Sequence, residues 1–361
     1  MSGRGTLLQS RQRQQRLAQA VAYAILTLGA VMILIPFVFM LSTSLKDKDR
    51  IFTRSIEWIP RKQIRVEVSG KTVKLFRFAK SLGDIYAVPV EELPRDRVRV
   101  AVLTRRPAET VDPRFLRTTR VVDWNELEPA TQVAFIWSNY REALTPPNFR
   151  FLLYLRNTLA ITVLALVGQV LSCTLVAFGF ARLRFPGRGF LFIVLLSTMM
   201  LPAQVTMVPL FKLFVSLGWY DTFLPLTVPA YFATSAFFVF LLRQYFMGIP
   251  IEMDEAARID GASSWGVFSR VLLPQVKPAV ATVAIFSFMG HWNDFLGPLI
   301  YLGNPDLRTL ALGLYAFQGE HSVDLQLLMA AASVVMLPLL ALFAVAQRYF
   351  IQGVVISGVK G

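Results

Sequence analysis

Followed for apolar and polar positions, the chain alternates between long uncharged runs and short charged connections. The first run, Ala20 to Leu41, follows a polar stretch that carries Arg4, Arg11, Arg13 and Arg16 and no acid. It is too long for the apolar core of a signal peptide, and no small-x-small cleavage site follows, so it predicts an uncleaved transmembrane helix. Five further runs, at about 157 to 180, 190 to 213, 223 to 242, 279 to 300 and 325 to 346, are each near the roughly 20 residues that cross a bilayer. The pattern predicts an all-α polytopic membrane protein of six transmembrane helices.

Between the first two runs lies the one long polar segment, residues 46–150, and its periodicity changes to that of strands. Ile64 to Val68, the turn Ser69-Gly70 and Thr72 to Phe78 read as a hairpin. Arg97 to Val102 alternates charged and apolar side chains, and Arg117 to Val122 is rich in strand formers. A β-rich insert over about 61–132 is expected. The remaining expected divisions are an N-terminal tail at 1–19, a first helix at 20–45, a five-helix core at 151–350 and a C-terminal tail at 351–361.

Composition agrees with a membrane chain: 55% of the 361 residues are hydrophobic. The net charge of +14 could point to nucleic acid, but basic side chains beside membrane helices explain it, and no nucleic-acid partner is expected. Six spans put both termini on one side. The N-terminal arginines, Arg182, Arg184 and Arg188, then Arg243, Arg258, Arg270 and Lys277, and finally Arg348 and Lys360 all fall on that side, which the positive-inside rule makes cytoplasmic. The β-rich segment is then extracytoplasmic. Pro202, Pro209, Pro225 and Pro229 interrupt the third and fourth spans, where they either shape packing or, together with Asn293 near the end of the fifth, line a translocation route.

The connection expected at 247–277 has its own chemistry. Pro250 suits a first helical turn, and Glu252, Asp254 and Glu255 complement the positive end of the helix dipole. Arg258 lies within reach of Asp254 or Glu255 on the same helix face. Gly261 is placed to stop that helix in the left-handed conformation. Ser263 or Ser264 then caps a second helix, with Trp265, Phe268, Val271 and Leu272 at helical spacing before Pro274 ends it.

Glu255, Ala256, Ala257, Gly261, Val271, Leu273 and Pro274 match the spacing E-A-A-x3-G-x9-I-x-L-P, with Val271 in the isoleucine place. In this the chain resembles the permease subunits of binding-protein-dependent ABC importers, of the carbohydrate type, and is similar to the second permease of maltose-type systems. Asn157-Thr158-Leu159, Ala181 to Phe185, Met200-Leu201-Pro202, Val208 to Phe211, Trp292 to Phe295 and the tail ending Val359-Lys360-Gly361 extend the likeness over the first span and nearly everything from residue 137 onward. The departure is the β-rich insert, which splits the family's usual short connection to an Asn-Tyr segment, here Asn139-Tyr140. Such an insert either helps dock a binding protein or stabilises passively.

The resemblance implies a type I importer fold, and it implies that Glu255, Ala256, Ala257, Arg258, Asp260 and Gly261 form the contact with an ATPase subunit. Glu255 would make a polar contact across the cleft, the alanines close packing and Gly261 the turn, with Gly358 and Lys360 of the tail also reaching the ATPase. It implies two ATPase subunits, a second and different permease chain, an extracytoplasmic binding protein and a sugar-class substrate. The setting would be a bacterial or archaeal cytoplasmic membrane. No cofactor is expected in this chain; ATP and Mg would belong to the partner.

The residues carry no energy source of their own. Ser69-Gly70-Lys71-Thr72 has the Gly-Lys-Thr end of a P-loop, but Arg65 stands where the first glycine is required. His291 and His321 lack metal-ligand spacing, and no catalytic set stands out. Asp294, near the end of a span, suits a capping or interfacial role better than a proton relay. An ion-coupled secondary transporter is the alternative reading, and the scarcity of mid-membrane ionisable groups argues against it.

Overall fold

The computed structural model describes residues 3–51, 57–68, 71–79, 85–94, 96–103, 110–111, 119–145, 149–315 and 324–355. The described residues form two compact units, residues 1–143 with 321–333, and residues 144–320 with 334–361. Among the described residues four helices are long and apolar enough to cross a membrane, or up to six if two sharply bent helix pairs each count as one span.

The first unit begins with helix α1, Gly3–Ser44, whose strongly apolar part is Gln15–Ser44. Helix therefore extends back through the polar stretch expected as a tail, because its Leu, Gln, Arg and Ala residues are good helix formers. Nearly all of α1 from residue 15 to 38 is exposed, the property of a helix that faces lipid or other subunits, and only its end at Ser42 to Ser44 is buried. After it, among the described residues, come the strands β1 (Arg61–Gln63), β2 (Arg65–Val68), β3 (Lys71–Lys74), β4 (Phe76–Phe78), β5 (Tyr86–Leu93), β6 (Arg97–Leu103), β7 (Thr110–Val111), β8 (Thr119–Asp123), β9 (Leu127–Pro129) and β10 (Thr131–Val133). Strands β2 and β3 pair antiparallel with Val66 opposite Val73, as the hairpin pattern predicts; the turn at residues 69 and 70 lies outside the described residues. The largest sheet has the order β8-β6-β5-β4-β9. Alternation in β6 buries Val98 and Val100 and exposes Arg97 and Arg99.

The insert closes at its neck. Strands β1 and β10 pair with Arg61 opposite Val133. Just beyond them, α2 (Ser138–Ala143) returns to the end of α1. The buried Asn139 side chain donates to the carbonyls of Ser44 and Lys46, each at 2.8 Å, and the Ser44 hydroxyl lies 2.8 Å from the Tyr140 hydroxyl. The Asn-Tyr pair thus rejoins the chain to the point it left, so a folded module fits between them without displacing either.

The second unit is built on α3, Phe151–Arg182. It continues through α4 (Arg188–Ser197), α5 (Ala203–Ser216), α6 (Leu224–Thr227), α7 (Ala236–Met247), α8 (Glu252–Ile259), α9 (Ser264–Gly266), α10 (Leu273–Gln275), α11 (Lys277–Trp292), α12 (Leu296–Tyr301) and α13 (Leu310–Tyr315), and it includes α14 (Leu325–Val355) from residue 334 on. Buried positions on α3 recur at helical spacing from Tyr154 through Ile161, Ala165 and Gly168 to Cys173 and Ala177. At one end the Asn157 side chain donates to the carbonyls of Asp306 and Arg308, and the Thr158 hydroxyl accepts from the Leu310 amide. The opposite end holds an apolar core of Ala177, Phe178, Leu242, Phe246, Val267, Phe268, Leu272 and Val283.

Three expected spans are interrupted; the fourth leaves α-helical form at Val228–Phe232. The third bends by 101° between residues 200 and 203, at the Leu201-Pro202 step where the backbone becomes extended. The fifth was expected to run from 279 to 300. Instead α11 ends at Trp292, and the chain turns at Asn293 to Phe295 before α12. Asp294 caps that second start by accepting from the Gly297 amide at 3.1 Å, and a side chain at Gly297 would meet its carboxylate at 2.5 Å. Helix α14 continues to Val355, past the expected start of the tail at 351.

Candidate functional site: the charged connection between α7 and α11

Two helical arms meet at Gly261. The first arm starts with Glu252, Asp254 and Glu255 in the opening turn of α8, where acids favour the helix dipole. It ends in a Schellman closure: the Gly261 amide donates to the Arg258 carbonyl at 3.0 Å, and the Ala262 amide donates to the Ala257 carbonyl at 2.9 Å. Gly261 has a φ of +82°, and a β-carbon there would meet nothing within 4 Å. Glycine is required by backbone conformation, not by crowding.

The second arm is capped by Ser263, whose hydroxyl accepts from the Gly266 amide at 3.2 Å. It does not end at Pro274. Helical structure runs to Gln275 through a π turn at Val267–Leu272, closed by the Leu273 amide on the Phe268 carbonyl. Pro274 is tolerated because it opens a new helical turn, where a missing amide is harmless. The 77° bend into α11 comes after Gln275. Val267, Phe268 and Leu272 are buried, and the Phe268 ring lies 4.9 Å from Phe178 and 6.4 Å from Phe246.

The faces of α8 divide sharply. Asp254 is buried, and Ala257 packs in part against the apolar core. Glu255, Ala256, Arg258, Asp260 and Gly261 are exposed. So are Ile259, at 86%, and Trp265, at 64%, on a segment otherwise rich in charge. Local spacing suggested Asp254 as a partner for Arg258. Asp254 pairs instead with Arg182, the last residue of α3, with Nε to Oδ2 at 3.4 Å and only 6% and 4% of the two side chains exposed. The Arg182 Nη2 also donates to the Ile249 carbonyl at 2.7 Å, and no ion pair includes Arg258 among the described residues. Sequence reasoning placed Arg182 as a flanking cation and within the family-like segment Ala181 to Phe185, without a partner. The signal that could have singled it out is its position in the last turn of α3, where an arginine can reach across to a neighbouring helix.

The prolines and Asn293 occupy varied surroundings. Pro202 and Pro209 are exposed, Pro225 is buried and Pro229 is half-buried. Asn293 is exposed and returns its side-chain amide to the Met289 carbonyl at 2.9 Å. Between Pro225 and α7 the fourth span loses α-helical form, with a 3-10 stretch at Val228–Phe232 and Ala233 at a φ of +51°. Ser172 of α3 spans this break, donating to the Ala230 carbonyl at 2.8 Å and accepting from the Ala233 amide at 3.1 Å. Gly168 admits the Tyr231 ring, since a β-carbon there would lie 2.5 Å from it. Gly358 and Lys360 lie outside the described residues, as does His321. No group of three or more metal-ligating side chains occurs among the described residues.

A family model described as the inner membrane component of binding-protein-dependent transport systems matches residues 173–356. The arabinooligosaccharides transport system permease protein of Halalkalibacterium halodurans is 36% identical over 205 residues, which is 57% of this chain and 73% of that protein. The maltose/maltodextrin transport system permease protein of Salmonella typhimurium is 34% identical over 241 residues, 62% of this chain and 81% of that protein. A chain in a solved bacterial ABC transporter involved in alginate import is similar in fold, with a TM-score of 0.63 at 19% identity over 94% of this chain and 98% of that one.

Proposed function

We propose, from the premise that this chain belongs to the inner membrane components of binding-protein-dependent transport systems, that it translocates a sugar or oligosaccharide and is driven through the α8 to α10 connection. The chain is a multi-pass, carbohydrate-type ABC importer permease and not an ATPase. In this reading a separate ATPase dimer, which holds ATP and Mg, docks on the exposed face bearing Glu255, Ala256, Arg258, Asp260 and Gly261. Both termini and this connection face the cytoplasm, and the β-rich module faces outward. A second permease chain completes the pathway, and an extracytoplasmic binding protein delivers the substrate.

One observation carries the coupling role. Ile259 and Trp265 project from a polar connection whose other face is rooted in the apolar core. Large apolar side chains exposed close together on a charged connection support its reading as a protein contact. The inner face is fixed by Asp254, Val267, Phe268 and Leu272, so movement imposed from outside would pass into α3 and α7.

Affinity purification of the tagged chain in mild detergent from its own membrane, with partner identification and an ATPase assay, tests this function. Recovery of an ATPase together with a second permease is the expected result. Recovery of the chain alone, with flux driven by a proton or sodium gradient after reconstitution, would overturn it.

A further inference from the structure

We infer that Arg182 is a positioning residue that pins α8 to the end of α3, so that displacement of the ATPase-facing surface moves α3. The inference rests on the proposed coupling role of α8. Its geometry has three parts. Arg182 grips the connection twice, through the Ile249 carbonyl that leads into α8 and through Asp254 in the first turn of α8. Both side chains are more than nine-tenths buried. Phe178, one turn earlier on α3, packs on Phe268 of the second arm. The last turns of α3 therefore hold both arms, one by charge and one by apolar contact.

The ion pair is poorly suited to serve stability alone. The second oxygen of Asp254 has no hydrogen-bond partner among the described residues, and neither does Nε of Arg182 apart from its ionic contact. Buried pairs with unsatisfied atoms contribute little net stability compared with apolar side chains of the same volume. What they supply is direction, since a guanidinium fork accepts only particular approaches of its partners. Arg182 is fixed in this way to a backbone carbonyl and a carboxylate on consecutive parts of the connection. A tilt of α8 that preserves both contacts must carry α3 with it.

The test uses the complex purified with its ATPase, reconstituted with the binding protein, and reads uptake per ATP hydrolysed. Arg182→Gln and Asp254→Asn should leave hydrolysis in place and lower uptake per ATP roughly tenfold. The double variant Arg182→Met with Asp254→Leu refills the space with apolar atoms, and it should assemble yet stay uncoupled. Parental uptake per ATP in any of the three overturns the inference. A second measurement covers variants that fail to assemble. Spin labels at the exposed positions Arg184 and Glu252 should keep one separation in nucleotide-free and ATP-bound complexes, and a change beyond about 5 Å, one helical turn, overturns the pin. Failure to recover any ATPase counts against the proposed function and this inference together. An intact, coupled Arg182→Gln complex counts against this inference alone.

Discussion

Substitution of Gly261 separates a conformational requirement from a steric one. The site is open, so a β-carbon there meets no neighbour within 4 Å. The cost comes from the backbone alone, because a φ of +82° brings an L-residue's β-carbon against its own chain. That cost is about 1–2 kcal/mol. An energy of this size changes the population of the Schellman closure relative to unwound alternatives by roughly 5- to 30-fold. Gly261→Asn should retain most coupled uptake, because asparagine tolerates the left-handed region. Gly261→Ala should lose several-fold, and Gly261→Val should lose most, since a β-branched residue is least tolerant of positive φ. The assay is substrate uptake and ATP hydrolysis in proteoliposomes containing the whole complex and its binding protein. Hydrolysis should continue while uptake per ATP declines in the order Asn, Ala, Val. Parental coupling in Gly261→Val would refute the argument. Equal damage from Asn and Val would also refute it, because that result would point to lost space at a partner surface.

Other perturbations give similarly direct readings. Ser263→Ala removes the cap of the second arm and should cost about 1 kcal/mol, seen as faster hydrogen exchange at residues 264 to 267. Ser172→Ala leaves the Ala230 carbonyl and Ala233 amide without their side-chain partner, which should lower thermal stability in detergent by about 1–3 kcal/mol. Gly168→Ala should destabilise by a similar amount, about 1–3 kcal/mol, through overpacking against Tyr231, and Tyr231→Ala in the same chain should recover most of the melting temperature. In the β-rich unit, hydrogen bonding from Lys74, helped by the charges of Lys74 and Arg65, holds the Asp49 carboxyl below its ordinary value. The resulting stabilisation is present above the unfolded carboxylate range and fades as pH falls through the lower folded value. The contacts are partly exposed, so the effect should be below about 1 kcal/mol, and Lys74→Met should flatten the pH dependence of exchange protection in β2 and β3.

The apolar runs, the strands and the two-arm connection were legible because each follows a local rule. Gly261 declared its turn through a glycine placed after a helical pattern, and the cap was narrowed to the hydroxyls of Ser263 and Ser264, of which Ser263 makes it. Arg97 to Val102 showed its strand by alternation. The partner of Asp254 was not legible, since spacing along α8 offers Arg258 while the actual cation comes from the end of α3, far away in the chain. The capping role of Asp294 was legible from its place near a span end, but the break after Trp292 was not: Asn293 and Asp294 are only two polar residues within a long apolar stretch, and composition averaged over a membrane span does not locate an interruption. Pro274 misled because its effect depends on whether its missing amide falls inside a turn or at the start of one.

The π turn at Val267–Leu272 also sets a rule of length. Each residue advances an α-helix by about 100°, so a turn holding one surplus residue leaves everything after it out of phase with everything before it by that angle. Losing a single residue there would let the turn relax to ordinary α geometry and swing Leu273, Pro274 and the entry to α11 around the axis. Gaining one would swing them the other way. The distance from Gly261 to Pro274 therefore works as a phase setting, and the connection should accept changes of side chain far more readily than changes of count.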